Sequence, residues 1–441
     1  MLKSVDITIS AGQKEGKIRA VNGVCNAPPL AVCRYLPDVL EDMKCLHIPY
    51  SRFHDAPLEN PGMALVDISC VFPNFKADAS NPDNYNFEAT DDYLARCAEY
   101  GSKIEYRLGE SIELSEKKYR VRPPADFAHF AEICVHIIRH YNCGWANGFH
   151  WGIEYWSIWE EPDNNNLFAG EFDDFLKLYE VVAKRIKQEF PDLRVGGPNA
   201  LGGNYTEKFL QFCKANQVPV DFYGYTYYHR TPGRQLEQIY DIRKLLDQNG
   251  FTDTALELAE WHYAPADWRA LYSDPKRKPE LMQEVSGENS AAFVAAVLCG
   301  MQDAPVDMAY LYCISYMAWG LFDEVLRTPL KNYFALKAFG KMLECDCRVS
   351  AAVSDDCSTW ILAGRKDDEV YLLASCFKSG MHPVSITLDE EFNSYEVLVV
   401  DDRHDLSEEM LREVKFENNR LSFSKDYAGS QIYLFRFFNK K

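Results

Sequence analysis

Between residues 17 and 345 the chain alternates short apolar runs with longer stretches whose apolar positions recur every three to four residues. Eight runs read as strands: 17–24 (KIRAVNGV), 45–54 (CLHIPYSRFH), 102–108 (SKIEYRL), 152–159 (GIEYWSIW), 193–197 (LRVGG), 220–228 (VDFYGYTYY), 255–261 (ALELAEW) and 306–313 (VDMAYLYC). They lack clean two-residue alternation, as expected of parallel strands covered on both faces. Helices fit between them. In 172–190, Phe172, Phe175, Leu176, Tyr179, Val182, Ala183, Ile186 and Phe190 fall on one helical stripe, and 124–141 and 289–304 behave similarly. Eight strands, each followed by a helix, predict a (β/α)8 barrel, a TIM barrel of the α/β class. The competing arrangement is an open doubly wound sheet. No strand leads into a GxGxxG loop, however, and 195–203 (VGGPNALGG) is only a weak approximation to one.

After residue 345 the helical period disappears. Strand-like runs separated by turn residues predict a small antiparallel β-sandwich. In 414–423, Val414 and Phe416, then Asn418-Asn419, then Leu421 and Phe423, read as a hairpin. The run 4–10 (SVDITIS) is a candidate to pair with it. The expected organisation is an N-terminal strand in 1–14, a catalytic barrel in 15–345 and a β-sandwich in 346–441.

Composition narrows the function. A chain of 441 residues, 47% hydrophobic, can bury a large core and more than one ordinary domain. Its net charge of −19 argues against nucleic acid and anionic membranes as partners and suits a neutral substrate. Aromatic residues, at 14%, fill a core or line a sugar pocket, and composition leaves both open. The first twenty residues lack the apolar centre of a signal peptide, and no run approaches the roughly 18 apolar residues of a membrane span. Fourteen cysteines form no CxxC pair, and Cys345 and Cys347 have no histidines nearby to complete a zinc site. They read as reduced thiols of a cytoplasmic protein, with no cofactor or metal expected. A homo-oligomer stays open.

In a barrel, chemistry sits where strands end and the following loops begin. The segment 155–166 (YWSIWEEPDNNN) places Glu161 at the end of the fourth predicted strand, and Pro162 disfavours helix at that residue. The segment 254–265 (TALELAEWHYAP) ends the seventh strand at Glu260-Trp261. Glu257, three residues earlier than Glu260, is expected to point elsewhere by alternation. Two carboxyls facing each other across a barrel mouth suit glycoside hydrolysis, which needs one protonated acid and one ionised carboxylate. Rim residues with ordinary ion-pair partners are the alternative.

These motifs resemble glycoside hydrolase family 39, a clan A family of retaining β-xylosidases and α-L-iduronidases. Trp159-Glu160-Glu161-Pro162-Asp163 resembles the family's Trp-Asn-Glu-Pro-Asp acid/base motif, and Glu260-Trp261 its nucleophile pair. Residues 50–55 (YSRFHD) resemble the family's Arg-x-His strand end, which implies roles for Arg52 and His54. Residues 196–199 (GGPN) also fit, and 317–324 (MAWGLFDE) resembles the segment after the eighth strand, implicating Trp319 and Glu324. Three positions depart from the pattern. Glu160 replaces an Asn that donates to the sugar's 2-hydroxyl, whereas an ionised carboxylate only accepts. Thr226-Tyr227-Tyr228 keeps the Tyr of a His-x-Tyr strand end but loses the His. Arg107-Leu108-Gly109 stands for Glu-Leu-Gly. Glu160 itself should point away by alternation unless a bulge or kink turns it inward beside Glu161.

The resemblance implies a retaining exo-glycosidase on short neutral oligosaccharides, β-xylosidase-like. Glu161 is then the acid/base and Glu260 the nucleophile, with Arg52 and Tyr228 holding Glu260 ionised and oriented. His54, Glu160, Trp319 and Glu324 would line the terminal-sugar subsite. Trp261 and Trp319 stack on a sugar ring or plug the barrel. The rivals are a non-catalytic carbohydrate-binding protein on the same scaffold, and a barrel lyase or aldolase, which would need a lysine or metal at a strand end.

Overall fold

The structure is a computed structural model that describes residues 4–63, 65–354 and 358–440. Residues 1–3 and 441, at the two ends of the predicted organisation, lie outside the described residues. The first strand, β1 (Val5–Lys14), belongs to the C-terminal sheet. The next eight close a parallel barrel in chain order: β2 (Gly23–Cys25), β3 (Tyr50–Phe53), β4 (Lys103–Leu108), β5 (Tyr155–Ile158), β6 (Arg194–Ala200), β7 (Phe222–Thr226), β8 (Ala255–Trp261) and β9 (Met308–Leu311). Each lies within or across one predicted run. The first is much shorter than its run, because 17–22 leaves the sheet. Arg19 there donates to the Met301 and Ala304 carbonyls under the barrel instead. Gly23 lets β2 close the barrel, since a Cβ there would fall 2.6 Å from the Ala309 carbonyl oxygen.

The helices follow the sequence stripes. In Phe172–Glu189, Phe175, Leu176, Tyr179, Val182, Ala183 and Ile186 are buried. The helix Glu288–Gly300 is buried all round from Ser290 to Cys299, because it lies between the barrel and the C-terminal sheet. Among the described residues no helix is long and apolar enough to cross a membrane.

Nine further strands, Cys347–Val353, Thr359–Lys366, Glu369–Cys376, His382–Leu388, Ser394–Val400, Asp405–Glu408, Arg412–Glu417, Arg420–Lys425 and Gln431–Phe438 (β10 to β18), join β1 in one ten-stranded sheet. Pairing is antiparallel except between β1 and β13, which run parallel with Val5 opposite Val384. The sheet rolls over its own core. Phe416 of β16, at one edge, lies 5.6 Å from the ring of Tyr395 of β14 near the other. Alternation sorts the two faces. Leu372, Tyr433 and Phe435 point into the roll, while Leu373, Ile432 and Leu434 join the core shared with the barrel. Asn418 and Asn419, both at positive φ, make the tight turn of the β16–β17 hairpin.

Candidate active site

The mouth of the barrel holds a cavity of about 690 Å³. Glu161 and Glu260 both line it, with Asp55, Thr226, Tyr228, Tyr312 and Trp319. Two local distortions bring the carboxylates there. After β5 the backbone enters the left-handed region at Trp159 (φ 66°) and again at Glu161 (φ 35°). Trp159 is thereby turned outward, where its indole donates to the Leu167 carbonyl at 2.8 Å. Alternation is broken, and Glu160 and Glu161 both face inward. In β8, Tyr225 pairs with Leu258 but Thr226 pairs with Glu260, so Ala259 is an extra residue. This bulge turns Glu257 into the barrel as well as Glu260, contrary to the expectation from simple alternation.

Tyr228 donates its hydroxyl to Glu260 Oε1. His54 Nε2 sits 2.9 Å from Glu260 Oε2, out of line for a regular hydrogen bond. Asn164 donates to Glu161 Oε2 at 2.9 Å. Burial is the main cause that pushes the Glu161 carboxyl well above the usual carboxylate range, reinforced by the negative charges of Glu260 and Glu160. Burial also lifts Glu260 to about 7, but the Tyr228 hydrogen bond and the Arg52 charge oppose it. Of the pair, Glu161 therefore keeps the proton and Glu260 loses it first. Burial lowers His54, which favours the neutral imidazole.

Beneath this pair lies a fully buried charge cluster. Arg52 forms an ion pair with Glu160, approaches Glu105 at 3.3 Å and Glu257 at 3.5 Å, and donates to the Ala259 carbonyl at 3.3 Å. Arg52 thus pairs with Glu160, and it acts on Glu260 through its charge without a direct contact. Glu160 also accepts from Asn199 Nδ2 at 3.4 Å, and among the described residues its Oε1 has no hydrogen-bond partner. Gly224 makes room for that asparagine, since a Cβ would fall 1.9 Å from Asn199 Oδ1. Glu257 is raised well above the usual range by burial and then by Glu105, so it is held neutral between its neighbours.

Other predicted positions fall elsewhere. Trp319 lines the cavity and donates to the Tyr272 hydroxyl at 3.0 Å. Trp261 is fully buried and packs outward toward Phe293, because the residue after an inward Glu260 faces the surrounding helices. Glu324 is exposed and accepts from the Met317 backbone at 3.1 Å, capping the turn that carries Trp319. Neither belongs to the cavity wall. Arg107 is buried against Asp67 at 2.9 Å and Ser111 at 3.2 Å. The aromatic wall Trp268, Tyr272, Tyr312 and Tyr316 was not singled out from sequence. The aromatic run that follows Glu260 signals Trp268 and Tyr272, and the tyrosines at the end of the last barrel strand signal Tyr312 and Tyr316. Asp55, next to His54, and Asn164, three residues after Glu161, were similarly within quoted motifs.

The model of the family "Glycosyl hydrolases family 39" matches residues 62–314. A β-xylosidase of Geobacillus stearothermophilus is 31% identical over 173 residues, 34% of each chain. One of Caldicellulosiruptor saccharolyticus is 27% identical over 235 residues, covering 50% of this chain and 45% of that one. The alignments thus span less than half the length of these curated relatives. In fold, a glucosidase from Croceicoccus marinus superposes with a TM-score of 0.79 at 22% identity, covering 99% of both chains. A family 39 β-xylosidase from Caulobacter crescentus gives 0.71 at 16%, covering 98% of this chain and 99% of that one. With the family match extending over more than half of its residues, and with a closed barrel joined to a curled sheet, the chain belongs to glycosyl hydrolases family 39.

Proposed function

We propose that the protein is a retaining, exo-acting glycoside hydrolase of β-xylosidase type, acting on short neutral glycosides. The observation that carries this reading is the unequal pair. Two carboxylates line one cavity, and the surroundings bias the proton toward Glu161 while donating a hydrogen bond to Glu260. Glu260 attacks the anomeric carbon, and the glycosidic C–O bond breaks with its electron pair going to the leaving oxygen. That oxygen takes the Glu161 proton. Glu161, now a carboxylate, removes a proton from water, which attacks the same carbon and releases Glu260. The buried Arg52–Glu160 pair and His54 lie behind the cavity wall, where their charge and polarity act on the two lining carboxylates.

The test uses aryl β-D-xylosides first, then other aryl glycosides. Glu260→Ala should abolish turnover. Glu161→Ala should release the aryl group and then stall, with azide restoring turnover through a glycosyl azide. Proton NMR of the first-formed sugar should show retention. Inversion would replace double displacement by direct attack of water, and rescue of Glu260→Ala that yields the glycosyl azide of retained configuration would reverse the roles assigned here. Sugar binding without any turnover would identify a non-catalytic carbohydrate-binding protein.

A further inference from the structure

Resting on the glycosidase reading, we infer that the leaving-group side of the cavity is built for an apolar aglycone, an alkyl or aryl alcohol, in preference to a second sugar. The proton donor marks that side, because Glu161 must reach the leaving oxygen. Two loops flank the Glu161 loop. One carries Leu201, whose backbone N–H donates to Asp163 Oδ1 at 3.1 Å. The other carries Leu114 and is tied in by Glu113, whose N–H donates to the Asn166 carbonyl at 2.8 Å. Both leucines line the cavity, yet Leu114 is 62% and Leu201 51% exposed. They form an apolar rim around the acid, where a bare leucine gains nothing unless something covers it.

Most of the polar groups on the same side are already engaged within the protein; the exception is the exposed Asn165, whose side chain has no partner among the described residues. Asn164 is bonded to Glu161 and accepts from the Asn166 N–H at 3.0 Å. Asn166 Oδ1 accepts from the Lys118 ammonium at 2.7 Å. Arg269, on the far rim, lies over the Trp268 ring at 4.9 Å. A second sugar would bring several hydroxyls to this wall and find fewer partners there than the hydration it loses. An apolar group would instead cover the leucines, and a cavity of about 690 Å³ exceeds the needs of one pyranose.

The experiment compares kcat/KM for methyl, butyl and hexyl β-D-xylosides and xylobiose, below micelle-forming concentrations. If xylosides are not cleaved, the glycone selected by the aryl screen replaces xylose. At about half the full burial value per methylene, each should add about two-fold, so hexyl should exceed methyl by about 30-fold. The hexyl-to-methyl ratio should drop in Leu114→Asn and Leu201→Asn. A ratio below about two-fold, or xylobiose cleaved as efficiently as the hexyl glycoside, would overturn the inference. Calorimetric binding of hexyl and methyl 1-thio-β-D-xylosides separates this from the catalytic reading. Tighter hexyl binding that depends on the leucines, without hydrolysis of any glycoside, sinks the glycosidase and keeps the apolar wall. Equal binding sinks the wall, whatever the turnover.

Discussion

Tyr228→Phe removes one hydroxyl and nothing else of consequence to packing. That hydroxyl donates to Glu260, whose carboxyl stands at about 7 with the bond in place. A hydrogen bond to a charged acceptor contributes about 1.5–3 kcal/mol, and about 1.4 kcal/mol corresponds to a tenfold change in proton affinity. Losing it should lift the Glu260 carboxyl to about 8–9. At pH 7 the ionised fraction would then fall from about half to between about 1 and 10%. The assay is the pH dependence of kcat/KM on an activated aryl glycoside, where the acidic limb reports ionisation of the Glu161–Glu260 pair. The variant should lose about five- to fifty-fold at pH 7 and recover much of that loss toward alkaline pH. A uniform loss at every pH, with the acidic limb unmoved, would show that Tyr228 does not govern the charge on Glu260.

Glu160→Gln removes a negative charge that helps raise Glu161, so the basic limb of the same profile should move to lower pH; an unmoved limb would separate the two adjacent glutamates electrostatically. Trp261→Ala should cost about 3–5 kcal/mol in denaturant unfolding yet leave KM nearly unchanged, because the indole packs toward Phe293 outside the cavity. Glu59 is buried and raised to about 7, so it adds stability that is complete below its ordinary range and lost as pH rises through 7. Unfolding at pH 6 and pH 9 should differ by about 1–2 kcal/mol from this residue, and Glu59→Gln should remove that share of the difference.

The barrel was legible because its strands are apolar runs too short for helices and its helices carry long one-sided stripes. The ends of elements were less legible. The run 17–24 is apolar enough for a long strand, but barrel closure uses only Gly23–Cys25. Within the C-terminal sheet, the parallel pairing of β1 with β13 depends on contacts between distant parts of the chain, which local pattern does not encode. At the site, Glu161 and Glu260 could be placed because strand ends and proline mark the rim. The inward turn of Glu160 and Glu257 could not be derived by counting alternate residues. It needs the left-handed Trp159 and the extra Ala259, and neither has a distinctive residue to announce it. Trp261 and Glu324 were drawn toward the site by motif proximity, while their side chains follow the packing of the next layer.

The helix Glu288–Gly300 is apolar on the face that meets the barrel and on the face that meets the rolled sheet. The Ser375 hydroxyl of β12 donates to its Ala292 carbonyl at 2.6 Å, so the sheet also bonds directly to the helix backbone. Sequence divides this chain into two modules, but this helix is the property of both. Cutting after residue 345 would uncover an unbroken apolar surface, and an isolated barrel should self-associate. Anyone grafting a different sheet onto this barrel must therefore move the helix with it, or redesign one of its faces for water.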